Sequence, residues 1–388
     1  MHLGILTGGG DVPGLNPAIK AVVNEAFARD WRVTGFRRGW AGPVNSDPEN
    51  LEGTRSARIV LTPDVVRSIN RTGGTILHTS RTNPSRIRAS DLPGFLSHGA
   101  ASSDEGTVDV TNHVLSVLDA LEIDVLIAIG GDDTLSYAAR IHAEGVKIMC
   151  IPKTMDNDVF GTDYCIGFST CVTRSVELIN RLRTSVGSHE RFLVVEMFGR
   201  NCGLTALMAG YLADVDRTLI AEVPFDFDKL ARMLSDDRAG STSNYAIVVV
   251  SEGASVVDEG VTESGPADAY GHHKLGGIGQ RLGHSLKEIT GTNVMVQNLG
   301  YLLRAGAPDA VDLMVPKNFG TMTVRLIEDG STGLMVAIRD GCYATQPADI
   351  STKGERRVDV DGMYDVDTYR PRIARLDGTP MYLPGAVK

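Results

Sequence analysis

The sequence predicts an α/β fold built on an open parallel sheet, and three observations carry that prediction. Asp124-Val125-Leu126-Ile127-Ala128-Ile129 is an apolar run suited to a strand buried on both faces. It leads through Gly130-Gly131-Asp132-Asp133-Thr134 into a helical stretch, Leu135 to Glu144, then a short apolar strand, Val146 to Ile151. The polar turn Pro152-Lys153-Thr154-Met155-Asp156-Asn157-Asp158 follows. Leu3 to Thr7 repeats the order: a strand running into Gly8-Gly9-Gly10-Asp11-Val12-Pro13-Gly14, then a helix from Pro17 to Arg29. The third instance is Glu190 to Glu196, followed by Met197-Phe198-Gly199-Arg200-Asn201-Cys202-Gly203 and a helix from Leu204 to Leu212.

Composition narrows the class. The chain of 388 residues has room for two domains with buried cores, and 43 glycines with 6% aromatics suit a turn-rich α/β enzyme. A net charge of −10 argues against a nucleic-acid surface. No run reaches the roughly 18 apolar residues of a membrane span, and Met1-His2 passes directly into a strand with no signal peptide. The five cysteines are an odd number without CxxC spacing, which reads as reduced cytoplasmic thiols and not as a zinc site. A cytoplasmic enzyme without nucleic-acid or membrane partners is expected.

Along the chain, Asn16 is suited to cap the first helix, with Pro17 in its first turn. Strand, glycine loop and helix start form a cradle for an anion. The glycine spacing is equally that of a plain βα turn, and it matches neither GxGxxG nor GxxxxGK[ST]. Trp31 to Arg37 reads as a strand; Ala41 to Ser68 is too irregular to assign. Arg81, Arg86 and Arg88 follow the glycine turn at Gly73-Gly74, where they could clamp phosphate or form a solvated basic loop. Ser90 to Thr107 reads as an exposed insertion and Val108 to Leu121 as an amphipathic helix.

After the loop Gly161 to Phe168, a helix is predicted from Ser169 to Arg183, and strands over Thr218 to Pro224 and Asn244 to Ser251. The last ends in the acid Glu252. Ala254 to His272 reads as a mobile loop, Leu275 to Ile289 as a helix and Asn293 to Asn298 as a strand. Asp309 to Glu328 is helical with Pro316 interrupting it, and Leu334 to Arg339 is a strand. The tail from Thr345 is polar, and no chemistry attaches to it.

The two turns around Asp132 and Asp156 fall at carboxyl ends of strands, where open parallel sheets bind ligands. They bring four carboxylates (Asp132, Asp133, Asp156, Asp158), the Lys153 ammonium and the Thr154 hydroxyl to one rim. Gly130 and Gly131 let backbone amides approach an anion closely. The carboxylates would repel that anion unless a divalent metal sits between them. The combination reads as metal-assisted phosphoryl transfer.

These motifs carry a resemblance. Gly-Gly-Gly-Asp-Val-Pro-Gly-Leu-Asn at 8–16, Gly-Gly-Asp-Asp at 130–133 and Pro-Lys-Thr-Met-Asp-Asn-Asp at 152–158 resemble phosphofructokinases. Met-Phe-Gly-Arg at 197–200 and Leu-Gly-Tyr-Leu-Leu-Arg at 299–304 follow in the family's order. The resemblance implies two αβα sandwich, Rossmann-like domains with the active site in the cleft between them. By analogy, 1–167 plus 303–350 form the phosphoryl-donor and metal domain, 168–302 the sugar-phosphate domain, and 351–388 a tail packed near the second domain.

It also implies roles. Asp156 is the base for the sugar hydroxyl, Thr154 bonds the phosphoryl group or the sugar, and Arg81 neutralises charge at the transferring group. Gly10, Asp133 and Lys153 bind the donor. Asp132 and Asp158 hold Mg2+. Met197, Phe198, Gly199, Arg200, Glu252, Tyr301 and Arg304 bind the sugar phosphate. Arg191 joins them from a neighbouring subunit, so a homodimer or homotetramer with shared sites is implied.

Asp133 and Lys153 resemble the pyrophosphate-dependent members: ATP-using members typically have glycine at the first position and usually at the second. An aspartate there would crowd and repel an α-phosphate. The implied reaction is reversible transfer from pyrophosphate to fructose 6-phosphate. The sequence departs from the family at Met295, where many members have a second cross-subunit arginine, at Tyr301, which replaces histidine, and at Leu313, where arginine is usual. Sedoheptulose 7-phosphate is therefore the first alternative sugar. Two other readings stay open: an ATP-dependent enzyme of the same fold and a non-catalytic sugar-phosphate sensor, the latter opposed by the intact Asp132, Asp156 and Asp158.

Overall fold

Two parallel-stranded sheets organise the chain. A computed structural model describes residues 1–97, 106–261, 263–264, 274–275 and 277–378. The first sheet has the order β11-β10-β5-β4-β1-β2-β3. Its strands are β1 (His2–Thr7), β2 (Arg32–Phe36), β3 (Arg58–Leu61), β4 (Val125–Gly130), β5 (Ile148–Pro152), β10 (Leu334–Arg339) and β11 (Cys342–Pro347). The inner strands are parallel, and β3 and β11 run antiparallel at the two edges. The second sheet is wholly parallel, in the order β9-β6-β8-β7: β6 (Phe192–Met197), β7 (Arg217–Leu219), β8 (Ala246–Ser251) and β9 (Val294–Asn298).

The apolar runs explain the arrangement. Every residue of β1, β4, β5, β6 and β8 is buried, as expected of strands covered on both faces. On one face of the first sheet, α1 (Leu15–Phe27) packs against α8 (Ala310–Glu328). On the other face, α2 (Thr111–Ala120) and α3 (Asp132–Ala143) share a core with Trp40 and Phe36. The long α4 (Phe168–Ser188) leads into the second sheet, which carries α5 (Leu204–Leu212), α6 (Phe227–Gly240) and α7 (Ile278–Thr290). One continuous hydrophobic core runs from β1, α1 and α8 through α4 into the second sheet.

Several local expectations are corrected. Pro316 lies buried inside an unbroken helix, because the lost N–H frees only the Asp312 carbonyl while tight packing on α1 holds the rod together. Thr218 to Pro224 contributes only the end of a three-residue strand, Arg217–Leu219; the rest turns under the tail. Ala41 to Ser68 holds a short helix, Ala41–Val44, and the edge strand β3. The helix expected from Leu275 starts at Ile278, where Gly277 takes the left-handed conformation ahead of it. Residues 98–105 of the expected insertion, and 262 and 265–272 of the expected mobile loop, lie outside the described residues.

Residues 345–378 of the tail are folded structure, and 379–388 lie outside the described residues. After β11 it passes a short turn at Ile350–Thr352 beside α3. It then reaches the second sheet, where the Tyr364 hydroxyl donates to the Thr218 carbonyl and Thr218 N–H donates to the Tyr369 carbonyl.

Candidate active site

Both sheets turn their carboxyl ends toward one cleft of about 1050 Å³. In the first sheet, strand order reverses between β1 and β4, and the loops leaving these strands are the glycine turns at Gly8 and Gly131. That is the position at which open α/β sheets bind ligands. In the second sheet β6 and β9 end at Met197 and Asn298 and Glu252 follows β8, and all three residues line the same cleft. Gly10, Arg81, Asp132, Asp133, Lys153, Thr154, Asp156, Asp158, Met197, Phe198, Arg200, Glu252, Tyr301 and Arg304 also line it.

The turn after β5 carries the most concentrated charge. Asn157 sits between Asp156 and Asp158, fully buried, with a left-handed φ of 55° that asparagine tolerates better than most residues. Its side-chain amide donates to the Asp163 carbonyl at 3.1 Å and its side-chain carbonyl accepts from Cys165 N–H at 2.7 Å. The two flanking carboxylates are thereby held at fixed places. Thr154 lines the cleft, and its hydroxyl accepts from Asp156 N–H at 3.2 Å while bonding the Asp158 carboxylate.

The charges in this turn perturb one another. Burial, then the charges of Asp158 and Glu252, push the Asp156 carboxyl well above the usual range; Arg304 and a backbone hydrogen bond from Arg200 pull it back. One Asp156 carboxylate oxygen is buried with no hydrogen-bond partner. Buried acceptors of this kind are rare and point to a missing donor. Asp158 is raised by burial and held down by the Thr154 hydroxyl, Arg356 and Lys153. Asp132, in the first turn of α3, is open to the cleft. The surrounding protein and the charges of Asp158, Asp133 and Glu355 nevertheless raise it to about 8.

The charges of Asp132 and Asp158 thus repel one another at this rim. Two carboxylates at the mouth of a phosphate cradle suit Mg2+, which takes one or two such ligands and completes its shell with water and phosphate oxygens. Among the described residues no three His, Cys, Asp or Glu side chains form a closed metal cage.

The cations lie opposite. Lys153 is buried and donates to the Gly10 carbonyl at 2.6 Å; burial and the neighbouring Arg304 lower its pKa to about 7. Arg304 reaches across the cleft, donating to the Asp11 carbonyl at 3.1 Å, with its guanidinium 4.6 Å from the Phe198 ring centre. Gly10 has to be glycine for this: a Cβ there would stand 1.8 Å from an Arg304 nitrogen. Arg81 lies on the wall shared with a second cavity of about 360 Å³, which Arg86 and Arg88 also line. Tyr301 stands exposed at the rim, edge-on to Phe198 at 6.4 Å.

Two expected residues lie elsewhere. Arg191 precedes β6, at the opposite end of that strand from the cleft, and Met295 is half-buried in β9 against the core. Gly199 does not line the cleft; with φ 132° its carbonyl accepts from the Ser251 hydroxyl at 2.5 Å and from Gly253 N–H at 3.1 Å.

Sequence reasoning overlooked Glu196, Asn201, Asn298 and Arg356. Glu196 is buried at the end of β6 and caps the start of α7, accepting from Gly279 N–H at 2.7 Å and from the Asn298 amide at 2.8 Å. A lone acid inside the apolar run Phe192–Met197 was a readable signal for it. Nothing local marks Arg356.

The family profile of phosphofructokinases matches residues 2–327. The pyrophosphate--fructose 6-phosphate 1-phosphotransferase of Amycolatopsis methanolica is 39% identical over 343 residues, covering 87% of this chain and 91% of its own. ATP-dependent 6-phosphofructokinase 3 of Streptomyces coelicolor is 35% identical over 341 residues, covering 87% and 91%. The solved pyrophosphate-dependent phosphofructokinase from Marinobacter aquaeolei superposes with a TM-score of 0.72 at 18% identity, over 100% of this chain and 98% of that one, a likeness of fold.

Proposed function

This chain belongs to the phosphofructokinase family, and from that premise we propose that it transfers a phosphoryl group reversibly from pyrophosphate to fructose 6-phosphate. The observation that carries the donor is the pairing of Asp133 and Lys153 on the donor side of the cleft beside the glycine turns. Asp133 fills and charges the space an α-phosphate would need. Lys153, bound to the Gly10 carbonyl, presents its charge where a short, highly charged donor ends.

In this reading 1–167 with 303–350 hold donor and metal, 168–302 hold the sugar phosphate, and the cleft joins them. Asp156 takes the proton of the attacking sugar hydroxyl, which supplies the donor that its unpartnered oxygen lacks. A carboxylate pushed upward by burial accepts that proton more readily than an exposed one. Gly10 offers its backbone amide to the phosphoryl oxygens, and Arg81 offsets their charge. Arg200, Glu252 and Arg304 hold the sugar phosphate.

Asp132 and Asp158 would hold Mg2+, which supplies positive charge to the phosphate oxygens. The anhydride broken and the ester formed are similar in energy, so the reaction runs in both directions. We place the enzyme in the cytoplasm; among the described residues no helix is long and apolar enough to cross a membrane.

The test sets pyrophosphate and ATP side by side on the purified protein. Pyrophosphate supports turnover and ATP little or none. Asp133→Gly admits ATP weakly, and Asp133→Gly with Lys153→Gly favours it further. The double change also lowers kcat/KM for pyrophosphate roughly ten- to a hundredfold, the scale of a lost charge-assisted contact. Wild-type turnover with ATP as fast as with pyrophosphate would overturn the donor.

A further inference from the structure

We propose that the tail is part of the catalytic apparatus, with Arg356 as a positioning residue that holds Asp156 and Asp158 through the carbonyl of Asn157. The inference rests on the roles given above to those two carboxylates. Arg356 is buried although it lies beyond the matched region 2–327, and it donates to the Asn157 carbonyl at 2.9 Å.

The side chain of Asn157 is anchored separately, at Asp163 and Cys165. The left-handed turn is thus fastened by its side chain on one side and by the tail on the other. Cutting the second fastening leaves the peptide between two catalytic acids free to rotate.

Two further observations favour this role over simple packing. A buried guanidinium is costly unless opposite charge or hydrogen bonds offset it. Arg356 forms no ion pair within contact distance among the described residues, and one of its terminal nitrogens is buried without a partner. The charges of Arg356 and Asp158 attract one another. The tail is also docked without it. Val358 N–H donates to Glu222 at 2.9 Å, and Glu222 in turn accepts from Gly203 N–H at the start of α5. The Tyr364 hydroxyl and the Tyr369 carbonyl bind Thr218. An apolar side chain would fill the Arg356 site more cheaply, so the guanidinium is there for the turn.

The experiment compares the full-length wild type with Arg356→Met and Arg356→Lys. Arg356→Met lowers kcat roughly tenfold or more, the scale of one charge-assisted contact, and leaves both KM values within about threefold. Amide hydrogen exchange rises in the segment 153–159 and stays unchanged in 364–371. Arg356→Lys, which keeps the charge and one donor, recovers part of the rate, and added guanidinium ion recovers part of it for Arg356→Met. The inference is overturned if kcat and exchange in 153–159 are both unchanged. It is equally overturned if the loss of rate tracks a loss of folded protein or a rise in exchange along the whole tail. A wild type that turns over no donor would instead sink the proposed function, and the exchange measurement would still decide whether Arg356 holds the turn.

Discussion

At the scale of single residues, the cleft buries charge that its own side chains offset only in part. Asp156 is the clearest case, with one oxygen unpartnered and its carboxyl raised by burial and by Asp158. Asp156→Asn keeps the shape and removes the proton acceptor. Turnover should fall at least ~100-fold, the usual scale for a general base, while sugar KM stays within a few fold. Steady-state kinetics in both directions check this, and near-normal turnover would remove Asp156 from the mechanism. Lys153 shows the same principle with opposite sign, since burial strips its proton until the pKa is about 7. A bound anion restores the charge, so the cost of burying it is met when the donor is in place.

Among the elements, the joint between the two sheets is α4, and its start is fixed by one carboxylate from α8. Asp312 is buried and accepts from the Tyr164 hydroxyl at 2.7 Å, Gly167 N–H at 2.8 Å, Thr170 N–H at 2.9 Å and the Thr170 hydroxyl at 2.6 Å. Negative charge at a helix N-terminus is favourable, yet burial still raises this carboxyl to about 6. The folded state therefore holds a proton that the unfolded state has released between about pH 4 and 6. Stability from this group falls as pH rises through that window and is flat above it.

Asp312→Asn should erase that slope. Its amide nitrogen cannot accept, so at least one buried donor loses its partner at about 1–3 kcal/mol. Chemical denaturation at pH 4.5 and pH 7 reads both effects. Equal stability of wild type and variant at pH 7 would refute the anchoring role. The helix passes through Pro316 for a related reason: packing against α1 outweighs one missing hydrogen bond.

For the whole molecule, the placement of Arg191 decides the argument. It stands before the six-residue strand β6, whose far end reaches the cleft, roughly 20 Å away at the usual rise per residue. Arg191 cannot serve its own cleft from there, and we propose that it serves a neighbour's in a homodimer or homotetramer. Arg191→Ala then raises sugar KM roughly ten- to a hundredfold. Mixing it with Asp156→Asn at sugar well below the raised KM, where each alone is slow, regenerates activity once subunits exchange. No recovery after demonstrated exchange would exclude shared sites. Met295→Arg tests the same boundary: a lower KM for the poorer of fructose 6-phosphate and sedoheptulose 7-phosphate places Met295 at that shared edge. An unmoved KM for both sugars removes it from the site.

Local pattern alone made most of the strands, the glycine turns and the acids at their ends legible. Those features are local, because apolar runs, glycine and strand-end position are legible without knowing neighbours. Asp132, Asp156 and Asp158 were singled out as candidates in this way, and the family was recognised from the same motifs. Only the tertiary structure decided what the turns rest on. Arg356, 199 positions beyond Asn157, binds its carbonyl, and Arg304 fills the space that Gly10 leaves open. Glu196 joins β6 to α7, and Pro316 stays helical under the packing of α1. Each depends on a partner distant in the chain. A residue's own neighbourhood carries no trace of such a partner, since burial and long-range hydrogen bonds exist only once the chain has closed on itself.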